Sequence, residues 1–304
     1  MIENQPKTTV DAPANNTDKT CRCLISLNTA IKLIIATNNK IIPKTMTILP
    51  PCITLLKNVS LFISTHIIHY HLFYTKIGQL SSHINKKTYI KGELFVNLKL
   101  NVLPLGPLST NCYIIEKEKS ALIIDPGGDY DYLKAHIENN KLNVEAILLT
   151  HAHFDHIGAV DPLRKDYNVE VYMHELEKDW LTDPSLNGSG RYIMDPISAS
   201  NPPEHLIEEG PFSVGSFQLS VLHTPGHSPG SLSFYFQDAG ILIAGDTLFH
   251  RSIGRTDLPF GNHDELIKSI QEKILTLPEN TICFPGHGPE TTVKDEKELN
   301  PFLN

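Results

Sequence analysis

Residues 145–160 read EAILLTHAHFDHIGAV, and this stretch decides the fold. Its apolar run at residues 146–149 is typical of a buried strand. Four side chains that bind metals follow within six residues: His151, His153, Asp155 and His156. Imidazole and carboxylate together suit zinc and other first-row transition metals. Alternation along an extended loop predicts that His151, His153 and Asp155 converge. His156 then turns away toward a helix near Gly158, and ligands that diverge in this way suit two metals better than one.

The composition is that of a globular chain with an uneven distribution of charge. Its 304 residues are 40% hydrophobic and 20% charged, with a net charge of −8. An acidic balance argues against nucleic acid as a partner. Residues 1–92 contain three acidic and eleven basic residues, whereas residues 93–304 contain thirty-one and fifteen. This asymmetry predicts a boundary near residue 93.

The N-terminal residues lack the pattern of a folded domain. Pro43, Pro50 and Pro51 interrupt apolar stretches that have no clear period. We expect residues 1–93 to be an irregular extension, either disordered or absent from the natural product, and residues 94–304 to form the folded domain. A transit peptide is the alternative, although arginine is scarce in this region. No membrane span is expected, because Ser, Thr, Asn and His dilute the uncharged segment 58–75.

The cysteines indicate a reducing compartment. Five cysteines provide no disulfide framework, and Cys21 and Cys23 are too close for a usual bridge. Cys112 and Cys283 lie in apolar runs, which indicates buried packing residues. Residues 1–20 are polar and contain no apolar core of a secretory signal. We therefore expect a cytoplasmic protein.

Three further predicted strands end near a possible ligand: residues 217–222 before His227, 240–244 before Asp246, and 281–284 before His287. Glycines adjoin all three ligands and permit tight turns where the backbone bends into a site. Together with the first loop, these strands supply seven candidate ligands. Seven ligands are enough for two metals that each keep an open position.

The rest of the pattern alternates strands and helices. Further strands are predicted at residues 95–103, 111–116, 121–125, 170–173 and 231–236, and helices at 130–139, 159–166 and 264–277. His174 is expected to be a polar residue at a strand end. Residues 177–210 are irregular, and such a long connection is typical of a lid or a substrate wall. Tyr192 within it either contacts substrate or packs.

The motifs resemble those of a known family. THAHFDH at residues 150–156 matches the HxHxDH signature of the metallo-β-lactamase superfamily. TPGHSPGS, AGDTLF and PGHGPET look like its later metal motifs. Within the superfamily, the chain most resembles the glyoxalase II-like hydroxyacylglutathione hydrolases. GDTLFHRSIGRTDLP, NHDEL and NPFL are similar to the short, single-domain members of that group, and the resemblance covers residues 95–304.

The resemblance implies an α/β fold, an αββα sandwich with two mixed sheets, for a hydrolase domain at residues 94–304. It implies that His151, His153 and His227 hold a first metal. It also implies that Asp155, His156 and His287 hold a second metal, and that Asp246 bridges the two. The expected cofactors are two divalent ions, zinc first, with iron or manganese as alternatives.

The same resemblance implies hydrolysis of a small-molecule thioester such as S-lactoylglutathione. A metal-bound hydroxide would attack the carbonyl, and Asp155 would bind metal and orient the hydroxide. The thiolate leaving group has a pKa of about 8.5 and departs with little protonation, so no general acid is required. Arg255 and Asp257 are expected to form an ion pair that braces their loop. His250 and His263 are expected to be loop residues and not ligands.

Several alternatives remain open. Full-length glyoxalase II enzymes carry a C-terminal helical domain that helps to bind glutathione, and we expect no room for one after His287. The chain could instead be a mononuclear iron persulfide dioxygenase of the same superfamily, or a metallo-hydrolase of another small ester or thioester. A true β-lactamase is disfavoured, because those enzymes lack the carboxylate found at Asp246. A non-catalytic metal-binding protein is a further alternative, and the oligomeric state is open.

Overall fold

The fold is known from a computed structural model that describes residues 98–303. The predictions for residues 1–93, and for the boundary at residue 94, lie outside the described residues. Between Leu98 and Leu303, no helix has the length and apolar composition needed to cross a bilayer.

Six strands from the first part of the described chain form one mixed sheet, in the order of the chain: β1 (Leu98–Leu105), β2 (Thr110–Lys117), β3 (Ser120–Ile124), β4 (Asn143–Leu148), β5 (Val171–Met173) and β6 (His205–Leu206). The first three strands are antiparallel neighbours. From β3 to β6 the pairing is parallel. The charged turn predicted between β2 and β3 is confirmed, because the two strands pair as a hairpin.

The second part repeats this plan with six strands: β7 (Gly210–Val214), β8 (Phe217–His223), β9 (Leu232–Phe236), β10 (Ile241–Gly245), β13 (Ile282–Pro285) and β14 (Thr291–Thr292). Their order across the sheet is β14-β13-β10-β9-β8-β7. Only β10 and β13 pair in parallel among them. A separate hairpin consists of β11 (Leu248–Phe249) and β12 (Ser252–Ile253).

Six α-helices accompany the sheets: α1 (Tyr130–Asn140), α2 (Phe154–Ile157), α3 (Val160–Tyr167), α4 (Ser189–Tyr192), α5 (His263–Ser269) and α6 (Val293–Leu299). A π-helical turn, Ile270–Ile274, continues α5, and short 3₁₀ turns occur at Glu175–Glu177 and Gln237–Ala239. Asn262 caps α5 by accepting a hydrogen bond from the backbone of Glu265. These counts refer to the part of the chain from residue 98 to residue 303.

Alternation along the strands places each sheet between two apolar layers. In β3, Ile123 packs with α1 and α3, whereas Leu122 packs against the second sheet. In β10, Ile243 belongs to this same central layer, whereas Leu242 packs with α5 and the π-helical turn. Each fully buried side chain of this size contributes about 1.5–3 kcal/mol relative to exposure. The layers therefore run helices, sheet, sheet, helices, and the αββα sandwich is confirmed.

The predicted cysteine environment is also confirmed. Cys112 on β2 packs in the layer under α1 and α3, and Cys283 on β13 packs in the layer under α5. Both thiols are fully buried and free. Burial raises the pKa of each thiol, and the charge of Asp125 raises that of Cys112 further. Neither group is a nucleophile at neutral pH.

Candidate metal centre

All the candidate ligands lie at one edge of the two sheets. β10 and β13 are parallel, and β8 runs in the same direction as β10 because each is antiparallel to β9. The loops after these three strands therefore end on the same side, with His227, Asp246 and His287. In the first sheet, the loop after β4 carries the four remaining candidates. The two sheets face each other, so the two sets of loops meet.

The first group of candidate ligands consists of His151, His153 and His227. One nitrogen from each lies within 4.8 Å of the others. His153 Nδ1 and His227 Nε2 are 3.0 Å apart. All three side chains are buried.

The second group consists of Asp155, His156 and His287, under the same distance limit of 4.8 Å. His287 Nε2 lies 3.2 Å from Asp155 Oδ2, and His156 Nε2 lies 3.5 Å from the same oxygen. This grouping corrects the alternation argument, which placed Asp155 with His151 and His153. The helix α2 begins at Phe154, and its turn rotates Asp155 toward His287.

Asp246 stands between the two groups. Its Oδ2 lies 3.6 Å from His227 Nε2 and 3.6 Å from His287 Nε2. Its Oδ1 lies 3.6 Å from His156 Nε2. One carboxylate therefore faces nitrogens of both groups, which is the position that the resemblance implied for a bridging ligand.

The hydrogen bonds of three histidines leave one nitrogen of each ring available. Thr150 Oγ1 donates to Asp125, so it accepts from His151 Nδ1 at 3.1 Å. His227 Nδ1 donates to the carbonyl of Arg255 at 2.8 Å, and His156 Nδ1 lies 3.0 Å from Asp125 Oδ2. A ring that donates through Nδ1 presents a lone pair on Nε2, which is how metal-binding histidines are usually held.

The free atoms at the centre fit cations. His151 Nε2, His156 Nε2 and Asp246 Oδ1 are buried without a hydrogen-bond partner among the described residues. Unpartnered buried polar atoms are costly, and a cation facing them would remove that cost. The donor set of imidazole and carboxylate suits zinc, iron or manganese.

The pKa values reflect this arrangement. Burial lowers the pKa of His151 well below its usual range, and the neighbouring imidazoles lower it further. Burial and the charge of His227 lower the pKa of His153 to about 3, so this ring is neutral. Burial also lowers the pKa of His156, but the carboxylates of Asp155 and Asp125 outweigh it and raise the pKa to about 10. The second group thus lies in a negative potential that attracts cations.

Asp125 is a supporting residue to which the sequence analysis assigned no role. It ends β3 with a left-handed backbone, φ 52°, and is completely buried. Its carboxylate accepts from the backbone and hydroxyl of Thr150 at 2.8 and 2.6 Å. The same carboxylate contacts His156, so it orients the ring of His156 directly and that of His151 through Thr150. An acidic residue at the end of a buried strand, before Pro126-Gly127-Gly128, was the available signal.

The start of β2 holds the second group. Thr110 donates to Asp155 Oδ2 at 2.8 Å. Asn111 Nδ2 donates to the carbonyls of Pro285 and Gly288 at 3.0 and 2.9 Å, and the Tyr113 hydroxyl donates to Pro285 as well. These bonds fix the loop that carries His287. No motif in the sequence indicated these contacts, because they depend on how the two sheets meet.

A cleft of about 650 Å³ lies over the two groups. Its walls are largely apolar, and they include Leu108, Phe154, Tyr192, Phe249, Ile253 and Leu258. Tyr192 on α4 therefore borders the cleft, as one of its two predicted roles requires. Arg191 also lines the cleft, and its exposed side chain has no partner among the described residues.

The remaining predictions for polar residues can now be compared with the structure. Arg255 donates to Asp257 through Nε and Nη2 at 2.8 and 2.7 Å, so the predicted ion pair is confirmed. His250 and His263 are exposed and belong to neither ligand group, as predicted. His174 stacks on His223 with ring centres 4.2 Å apart, which agrees with a polar residue at a strand end.

Comparisons with known proteins agree with this geometry. Residues 105–287 match the model of the metallo-β-lactamase superfamily. The probable metallo-hydrolase YqgX of Bacillus subtilis is 50% identical, over 68% of this chain and 98% of that protein. The hydroxyacylglutathione hydrolase GloC of Haemophilus influenzae is 37% identical, over 68% of this chain and 99% of that protein.

Two solved structures are similar over the same region. The crystal structure of BLEG-1 B3 metallo-beta-lactamase is 51% identical with a TM-score of 0.66, and the match covers 67% of this chain and 99% of that chain. The crystal structure of TTHA1623 in a di-iron-bound form is 38% identical with a TM-score of 0.61, covering 67% and 100%.

The fold and the ligand geometry define a metallo-hydrolase built on an αββα sandwich. The chain belongs to the metallo-β-lactamase superfamily.

Proposed function

We propose that this chain is a binuclear metal-dependent hydrolase that cleaves a small thioester, as glyoxalase II-type enzymes do. In this proposal His151, His153 and His227 bind one ion, and Asp155, His156 and His287 bind the other, with Asp246 shared. Zinc is the first candidate, with iron or manganese as alternatives. The di-iron form of a structure 38% identical to this chain supports two occupied positions and keeps iron open.

The observation that carries the proposal is the absence of a spare proton donor. Within the described residues, every imidazole and carboxylate that lines the cleft belongs to a candidate ligand. An alcohol or amine leaving group needs protonation by a general acid, whereas a thiolate, with a pKa of about 8.5, does not. A thioester is therefore the substrate class that this cleft suits. The 37% identity to GloC also supports it.

The residues of the chain have distinct roles in this reaction. Bound divalent ions supply Lewis acidity and lower the pKa of water to about 7. The hydroxyl of Thr110 holds the carboxylate of Asp155, which we propose orients the attacking water. The apolar cleft wall excludes bulk water from the thioester. Arg191 offers its free guanidinium to an acidic group of the substrate.

A substrate panel tests this function. The purified protein is assayed with S-D-lactoylglutathione, a chromogenic cephalosporin, and glutathione persulfide with oxygen uptake recorded. We expect turnover of the thioester and little of the other two. Turnover of the persulfide alone, with oxygen consumed, would move the chain to the iron dioxygenases.

β-Lactam hydrolysis is the second candidate function. It is favoured by the 51% identity to a structure described as a B3 metallo-beta-lactamase. Preferred turnover of the cephalosporin in the same panel would replace the thioester proposal.

Arg191 provides a test of substrate recognition. We expect Arg191→Ala to raise the KM for S-D-lactoylglutathione about tenfold with little change in kcat, because a charge-assisted hydrogen bond contributes about 1.5–3 kcal/mol and exposure reduces it. A lactoyl thioester of the uncharged thiol N-acetylcysteamine is the control substrate, and its KM should not change. Equal effects on both thioesters would contradict a role in recognising charge.

The partner and the location remain predictions. We propose a small-molecule thioester as the partner and the cytoplasm as the compartment.

A further inference from the structure

Glu177 is a buried acidic residue that the proposed reaction does not use. It lies in the 3₁₀ turn Glu175–Glu177 and is completely inaccessible to solvent. Its Oε2 accepts a hydrogen bond from the backbone N–H of Ala152 at 2.7 Å. Its Oε1 accepts one from the backbone N–H of Gly230, also at 2.7 Å.

These two amides belong to the loops of the first ligand group. Ala152 lies between His151 and His153, and Gly230 follows His227 by three residues. One carboxylate therefore joins the segments that carry all three ligands. Gly230 allows this approach, because a Cβ at that position would lie 2.9 Å from Glu177 Cγ.

The neighbourhood of Glu177 continues this support. Trp180, one turn later, packs on the ring of His153 with centres 5.6 Å apart. The second group is held differently, by Thr110 and Asn111 at the start of β2. Each group thus has its own set of supports.

We propose that Glu177 is the positioning residue of the first metal site, where it fixes the spacing of the ligand loops through two backbone hydrogen bonds. A packing role alone would not explain a carboxylate here. Burying an ionisable group is costly unless it is hydrogen-bonded, and an apolar side chain would fill the space without that cost. The proposal concerns metal binding and does not depend on the substrate.

Metal affinity at a single site tests the proposal. In a His287→Ala background, which removes a ligand of the second group, chelator competition with Zn²⁺ measures the first site. Glu177→Gln retains one acceptor but turns an amide N–H₂ toward the other backbone N–H. We expect this change to lower the first-site affinity about 10- to 100-fold, as other changes to the partners of metal ligands do. Co²⁺ absorption on the same variants reports ligand geometry and should shift.

Matched variants separate positioning from general damage. In a His151→Ala background, which leaves the second group, Glu177→Gln should not change the affinity. Glu175→Gln is the control on the same turn, because its side chain is 60% exposed and pairs only with Lys178. Gly230→Ala gives an independent route, since its new methyl group displaces the carboxylate from the amide, and it should reproduce the selective loss.

An unchanged first-site affinity in Glu177→Gln would overturn the proposal. Equal weakening of both sites would also overturn it, because Glu177 would then act on the fold as a whole. If Glu177→Gln does not fold, as judged by thermal unfolding, Gly230→Ala decides in the same way. Because the readout is affinity, failure of the thioester assignment would leave this test intact.

Discussion

At the scale of single residues, the centre depends on which nitrogen each histidine presents. His151, His156 and His227 each engage Nδ1 with a protein oxygen and direct Nε2 inward. Asp246 then faces nitrogens from both groups at 3.6 Å. A single carboxylate in this position can hold two cations close together despite their repulsion.

Removal of this carboxylate is therefore expected to disable the centre. We predict that Asp246→Ala loses at least one metal per chain and lowers kcat/KM more than about 100-fold, since even the outer partners of ligands cost 10- to 100-fold. Metal analysis and turnover on the same sample measure both effects. Asp238→Ala, an exposed aspartate on the 3₁₀ turn after β9, is the control. Two metals and normal turnover in Asp246→Ala would contradict the ligand assignment.

Asp125 permits a test of ligand orientation. Asn adopts the left-handed backbone of this position, so Asp125→Asn should fold, but its amide nitrogen cannot accept from Thr150 or His156. We expect metal affinity to fall about 10- to 100-fold, measured by chelator competition. Asp129→Asn is a matched control, because Asp129 also has a left-handed backbone, with φ 42°, and is exposed. Equal affinity in both variants would show that Asp125 does not orient the ligands.

At the scale of elements, parallel pairing of β10 and β13 brings Asp246 and His287 together. Gly286 N donates to the carbonyl of Gly245 at 2.8 Å, so the two loops run side by side. Gly286 has no room for a side chain, because a Cβ there would collide with Asp246 Oδ1 and approach His156 Cε1 to 2.9 Å.

Gly286→Ala should therefore displace ligands without removing any. We expect loss of bound metal and a fall in turnover of at least about tenfold, with the thermal unfolding of the metal-free protein little changed. Gly288→Asn is the control, since Gly288 has a left-handed backbone, φ 77°, with open space around it. Retention of both metals in Gly286→Ala would mean that the loops tolerate a wider spacing.

The elements show what the sequence could and could not predict. Apolar runs predicted the four strands that end at ligands, and the motifs predicted all seven ligand candidates. The predicted helix at 264–277 is instead α5 followed by the π-helical turn Ile270–Ile274. A helical period alone does not separate these forms. Strand β7 was missed because Gly210 and Pro211 weaken its pattern, and α6 was missed because it is short and highly charged.

Partners of the ligands were the least predictable feature. Glu177 lies in a stretch, HELEKDW, that reads as an exposed polar turn, and only the fold turns it inward. Asn111 reaches the His287 loop from a strand 174 residues earlier, counted to Pro285. Such contacts depend on the packing of one sheet against the other, which local patterns do not describe.

At the scale of the whole molecule, residues 98–303 contain both ligand groups, their supports and the cleft. We predict that deletion of residues 1–92 leaves metal content and turnover unchanged within about twofold, because no described contact of the centre lies before β1. Thermal unfolding and turnover of the truncated and full-length proteins test this. An unfolded or inactive truncation would show that the extension belongs to the functional structure.

The most direct test of the account is metal content measured together with turnover. Metal-free protein is reconstituted with increasing Zn²⁺ or Fe²⁺, and S-D-lactoylglutathione hydrolysis is followed on each sample. We predict that hydrolysis rises until about two metals are bound per chain, as two groups sharing Asp246 require. One iron per chain, with oxygen consumed on glutathione persulfide and no thioester hydrolysis, would contradict the binuclear hydrolase.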